Sequence, residues 1–184
     1  MRHTSLALLA ALALAACDNP AGDDAVVSLV RLTYTGPVSG TFEANGDPNP
    51  LLPYGSQQMA LGLRDPGTGE LQVHAVVSRT DGYDLAVLAL PSPAVGTMTI
   101  GPCTEAACPG LTLLLGIDSG FSEGSGIVCV VDAGTIEVQT YTPQHAAGTV
   151  QGTGTCSASA GSEPFAVTDG RFDVRVDRLP GSAG

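Results

Sequence analysis

Gly120-Phe121-Ser122-Glu123-Gly124 has the Gly-x-Ser-x-Gly spacing with which serine hydrolases hold a nucleophile on a strained turn between a strand and a helix. Such a serine needs a base, and the candidates are His74 and His145. The segment after the motif, Gly126 to Val131, reads as a strand, and no alternation of strands and helices surrounds it. Serine-hydrolase chemistry is therefore a distant third among the functions considered. Asp47, Asp118 and Glu123 lie in turn-like segments that could contribute oxygens to calcium. Calcium takes six to eight oxygens, more than these sparse loops offer, so no metal is expected. With no lysine in the chain there is no Gly-Lys-Ser/Thr phosphate loop. Sugar binding by ring stacking would fall to Tyr54 and Tyr83, because the chain has no tryptophan. No catalytic residue and no cofactor are assigned.

The cysteines carry the more definite chemistry. Cys17 stands apart near the start, leaving Cys103, Cys108, Cys129 and Cys156. An even number in an exported chain favours disulfides, and four cysteines allow three connectivities. Cys103–Cys108 and Cys129–Cys156 are the favoured pairs. The first closes a short loop bracketed by Pro102 and Pro109-Gly110, and the second joins two strand segments. No Cys-x-x-Cys pair or nearby histidine supports zinc instead.

These residues need a scaffold, and the sequence reads as antiparallel all-β. Short alternating runs rich in Val, Thr and Gly are separated by turn residues, with no sustained helical period. Strands are predicted at Val26–Tyr34, Val38–Ala44, Gln57–Arg64, Glu70–Arg79, Tyr83–Leu90, Val95–Ile100 and Leu111–Gly116. Five more follow at Ile127–Val131, Thr135–Thr142, Gly148–Cys156, Phe165–Val167 and Arg171–Arg178. Asp65-Pro66-Gly67-Thr68-Gly69, Asp81-Gly82 and Asp169-Gly170 read as hairpin turns. In the last strand Phe172, Val174 and Val176 alternate with Arg171, Asp173, Arg175 and Asp177, as a half-buried strand requires. A β-sandwich is expected, with a closed β-barrel as second choice.

Seven arginines face eighteen carboxylates, giving a formal net charge of −11. That balance disfavours nucleic acid, whose binding depends on cationic side chains that displace counterions. At the amino terminus, Arg2 and His3 precede an apolar run, Ser5 to Ala16, which is shorter than the ~20 residues of a membrane span. It ends in Leu14-Ala15-Ala16-Cys17, which resembles the lipobox of bacterial lipoproteins. The resemblance implies that residues 1–16 are a signal peptide removed before Cys17. It also implies a diacylglyceryl thioether on the Cys17 sulfur and an acyl chain such as palmitate on its amino group. Residues 17–24 then form the lipidated cysteine and a polar tether, and residues 25–184 a single β domain. Asp18 to Asp24 reaches about 25 Å at most, which holds the domain near a membrane in the cell envelope.

A second resemblance lies in the last fifty residues. Gly134-Thr135-Ile136, Gly148-Thr149-Val150 and Thr168-Asp169-Gly170-Arg171-Phe172 resemble the ending of uncharacterised secreted all-β bacterial lipoproteins. This implies a fold but no activity. The reading is a membrane-anchored, non-enzymatic structural or protein-interaction module, whose partners are the membrane and an envelope protein or glycan. The alternative is a small-ligand or glycan-binding protein.

Overall fold

A computed structural model describes residues 28–49, 51–52, 57–102, 108–118, 126–158 and 161–178. The strands, in chain order, are β1 (Leu29–Thr35), β2 (Gly40–Asn45), β3 (Met59–Arg64), β4 (Leu71–Arg79) and β5 (Gly82–Leu90). They continue as β6 (Gly96–Ile100), β7 (Gly110–Asp118), β8 (Ile127–Tyr141), β9 (His145–Ala158) and β10 (Gly161–Arg178). The fold is all-β and antiparallel, save for a short parallel contact in which Val176, Asp177 and Arg178 of β10 lie beside Gly62, Leu63 and Arg64 of β3. All ten strands belong to one sheet, in the order β2-β1-β10-β3-β4-β5-β7-β8-β6, and β9 joins β8 to β10. Pairing therefore runs in a ring, from β10 through β3, β4, β5, β7, β8 and β9 back to β10. The sheet curls so that its inward faces meet around a sandwich-like or barrel-like core.

Alternation sets what lies inside. Leu71, Val73 and Ala75 of β4 share the core with Ala86, Leu88 and Leu90 of β5 and with Leu111, Leu113 and Leu115 of β7. Val30, Leu32 and Tyr34 of β1 meet them from the other side, with Phe172 and Val174 of β10. Each fully buried Leu, Val or Phe contributes about 1.5–3 kcal/mol relative to exposure. Met59, Val76 and Tyr83 point the opposite way and form a second cluster, with Leu85 and Ile117 packed against it.

Three local predictions are revised. Asp169-Gly170 is not a hairpin turn. It lies within the continuous strand β10, where the register to β9 shifts between Val167 and Gly170. The segments on either side pair with the same neighbours, so the extra residue bends the strand instead of reversing it. In the same way Ile127–Val131 and Thr135–Thr142 are one strand, β8, with a register shift between Val131 and Ala133. At the β4–β5 hairpin Arg79 pairs with Gly82, so the turn residues are Thr80 and Asp81. The Asp65 turn follows its sequence chemistry: its Oδ1 accepts the amides of Gly67 at 2.6 Å and Thr68 at 3.2 Å.

Candidate functional site

The inward positions of β5 read Asp84, Ala86, Leu88 and Leu90, so a carboxylate occupies the place of a core side chain. Asp84 is 4% exposed. A buried carboxylate must be paired to be tolerated. Its Oδ1 accepts the Gly116 amide at 2.7 Å. Its Oδ2 accepts Nε of Arg79 at 2.7 Å and also Nη2 of the same guanidinium. Two backbone irregularities build this arrangement. The register between β5 and β7 shifts between Tyr83 and Leu85, and Gly116 adopts φ +69°, turning its N–H toward Asp84.

Arg79 reaches Asp84 from the end of β4, and its side chain remains about half exposed. Beside the pair opens a cleft of about 430 Å³ lined by Arg79, Thr80, Asp81, Gly82, Tyr83, Gly116 and Ile117. Tyr34, on β1, senses the same charges. Burial raises the pKa of its hydroxyl, the Asp84 carboxylate raises it further, and Arg79 opposes both. The cleft thus combines a fixed guanidinium, hydroxyl and carboxylate groups at the hairpin tip, and an apolar wall. That suits recognition of a small polar molecule with an apolar body.

The residues singled out by sequence are dispersed. His74 lies on β4 with Nε2 3.1 Å from Oε1 of Gln72, and burial lowers its pKa. His145 is not in a loop but opens β9, with Nε2 2.8 Å from Oδ1 of Asp173. Asp47 is committed to an ion pair with Arg175 at 3.1 Å. Arg175 also binds Asp177 at 3.0 Å. Its hydrogen bond to the Asp177 carboxylate is the chief cause that raises the Arg175 pKa. Tyr83, a candidate for stacking on sugars, which would require an exposed ring, is buried in the second apolar cluster. Cys129 and Cys156 are directly opposite in the β8–β9 register and joined as a disulfide, both buried. Cys108 is also disulfide-bonded. Cys17 and the segments expected to be its lipobox and tether, Tyr54, Cys103, Ser122 and Glu123 lie outside the described residues, as does the side chain of Asp118. Among the described residues, no group of three or more His, Cys, Asp or Glu could hold a metal ion. No described helix is long and apolar enough to cross a membrane.

The chain resembles a riboflavin biosynthesis protein. It is 31% identical over 140 residues to riboflavin biosynthesis protein RibD of Corynebacterium ammoniagenes, with 68% of this chain and 41% of that protein covered. The chain thus spans about two fifths of its relative's length. No family model and no solved structure matches. The similarity corrects the expectation of a non-enzymatic structural or protein-interaction module: the relative is a biosynthetic enzyme, and the similarity points to an enzyme-like domain. The sequence reading missed the Asp84 cleft, although a signal was available. In Tyr83–Leu90 the acidic residue has the same parity as three apolar ones, so burial of that face buries the charge as well.

Proposed function

We propose that this chain is an enzyme-like domain that binds a small metabolite in the cleft beside Arg79 and Asp84. The carrying observation is the buried carboxylate whose two oxygens fix Arg79 and the Gly116 amide at the rim of that cleft. The relative's role in riboflavin biosynthesis suggests a heteroaromatic ligand, and riboflavin is the first probe. Tyr83 and Ile117 offer an apolar wall to its ring system, and Arg79, Thr80 and Asp81 offer polar partners to its side chain. Titration of the purified chain into riboflavin should quench the flavin fluorescence saturably. Arg79→Ala should weaken binding about tenfold or more, which is about 1.4 kcal/mol. An unsaturable response with the unaltered chain would sink the reading.

The lipobox supports a separate proposal: the domain is exported and anchored to a membrane through Cys17. Two or more acyl chains give stable anchoring, whereas one gives only reversible binding. Cells expressing the chain and fed labelled palmitate should label it, and Cys17→Ser should abolish the label. Equal labelling of both forms would refute lipidation at Cys17.

A further inference from the structure

The ring of pairing leaves β1 and β2 outside it on one side and β6 on the other, and the two free edges are built differently. The outer edge of β2 is partly covered and charged. The Glu43 carbonyl accepts Nε2 of Gln58 at 3.2 Å, and the Gly46 carbonyl just beyond the strand accepts the Ala60 amide at 2.9 Å. The Glu43 side chain lies 3.6 Å from Arg31. Among the described residues, β6 pairs with β8 alone. Its other edge presents backbone N–H and C=O groups with no described strand beside them, and such an edge is a template for another strand. Charge is a common protection of sheet edges. From Pro91 to Pro102, twelve residues around β6, the chain carries none, although its net charge is −11.

The side chains of β6 suit pairing with a copy of themselves. Thr97 and Thr99 are exposed, Ile100 is buried, and Met98 is partly buried against the core. Val95, just before the strand, is 67% exposed. Pro93 and Pro102 bracket the segment and limit the length that can pair, so the fullest pairing of this edge with itself is centred on Met98. Antiparallel pairing about a two-fold axis at Met98 sets Thr97 opposite Thr99 of the other copy, and Met98 opposite Met98. Threonine pairs across strands are favourable. Glu137 of β8 lies beside Thr97, so its row would continue through Thr99 to Thr135 of the other copy, and no carboxylates meet.

We propose that a second copy of this chain adds to the β6 edge, so that two molecules share one continuous sheet through antiparallel β6 strands. A charged peptide gains no electrostatic attraction from an uncharged edge, whereas two acidic chains meet there with the least repulsion. The backbone groups supply the attraction, and the threonine and methionine pairs fix the register. Five residues a side bury less than the roughly 800 Å² per partner of a standard interface, so the dimer is weak and its population follows concentration.

The full chain, purified in a mild detergent, is followed by sedimentation equilibrium in density-matched solvent over a concentration series. A monomer–dimer equilibrium is expected. The double variant Thr97→Asp/Thr99→Asp sets carboxylates opposite each other in both threonine pairs and should weaken association about tenfold or more. Thr153→Asp/Thr155→Asp, at exposed positions of β9, adds the same charge and should leave association unchanged. Hydrogen exchange on the unaltered chain gives an independent reading: amides within residues 96–100 should gain protection as the dimer forms. A monomer at every concentration overturns the proposal, and so does association that T97D/T99D leaves unchanged or that T153D/T155D weakens equally. Protection of 96–100 that does not change with concentration also overturns it, because the edge is then covered within one molecule.

Discussion

Asp84 illustrates how one polar side chain can be kept inside an apolar ring. Both of its oxygens are occupied, so removing its charge affects Arg79 and Gly116 together. Asp84→Asn should destabilise the fold by about 1–3 kcal/mol in urea denaturation, because it leaves buried donors poorly matched. Arg79→Met should be similarly costly, since it leaves the carboxylate with the Gly116 amide but without its countercharge. His74 gives a pH prediction. Its folded pKa lies below the ordinary 6.5, so the unfolded chain binds the proton more readily as pH falls. Its stabilising contribution is complete above about pH 6.5 and declines as pH drops toward the lowered folded value. Denaturation midpoints should therefore fall in that window, and His74→Gln should flatten that part of the profile. An unchanged slope in the variant would assign the effect to other groups.

At the scale of the element, β9 is the strand most constrained by its glycines. A Cβ at Gly154 would overlap the Val130 carbonyl oxygen, and one at Gly148 would overlap that of Glu137. These contacts let β8 approach β9 closely along a strand pair that spans the molecule. Gly154→Val should cost about 1–3 kcal/mol or more, as steric overpacking does, and the loss should appear as a lower thermal midpoint. The disulfide ties the same pair of strands together. Replacing both Cys129 and Cys156 by alanine should cost about 2–4 kcal/mol by loss of the cross-link in the unfolded chain. Refolding titrations under oxidising conditions would measure it, and a midpoint equal to that of the unaltered chain would contradict it.

For the molecule as a whole, the proposed lipid on Cys17 would set its location. If Cys17 carries lipid, Cys17→Ser should move the protein from the membrane fraction to the soluble fraction, since the acyl chains are the proposed anchor. Immunoblots of separated fractions read this directly. The Arg79 cleft lies at one end of the sheet, where the β4–β5 hairpin turns.

The antiparallel β character was legible because period-two alternation fixes which face of each strand is apolar. Most strand positions followed from it, from Val30–Tyr34 to Phe172–Val176. The turn chemistry at Asp65 was equally local, and so was the capacity of Cys129 and Cys156 to share an inward face. Bulges were not legible: Asp169-Gly170 offers the same residues to a hairpin turn and to a kink within a strand. Only the common pairing of both flanks with β1 and β9 decides between them. The cleft was hidden for a related reason. Asp84 and Gly116 are thirty-two positions apart, and no short-range pattern brings an amide with positive φ to a buried carboxylate. The sequence by itself determined the period of the strands, the acidic charge and the lipobox-like Leu14-Ala15-Ala16-Cys17 on which the proposed anchor rests. Tertiary structure decided the ring of pairing and the Arg79–Asp84 cleft. Those depend on which strands become neighbours, and neighbours in a sheet are set by contacts distant in sequence.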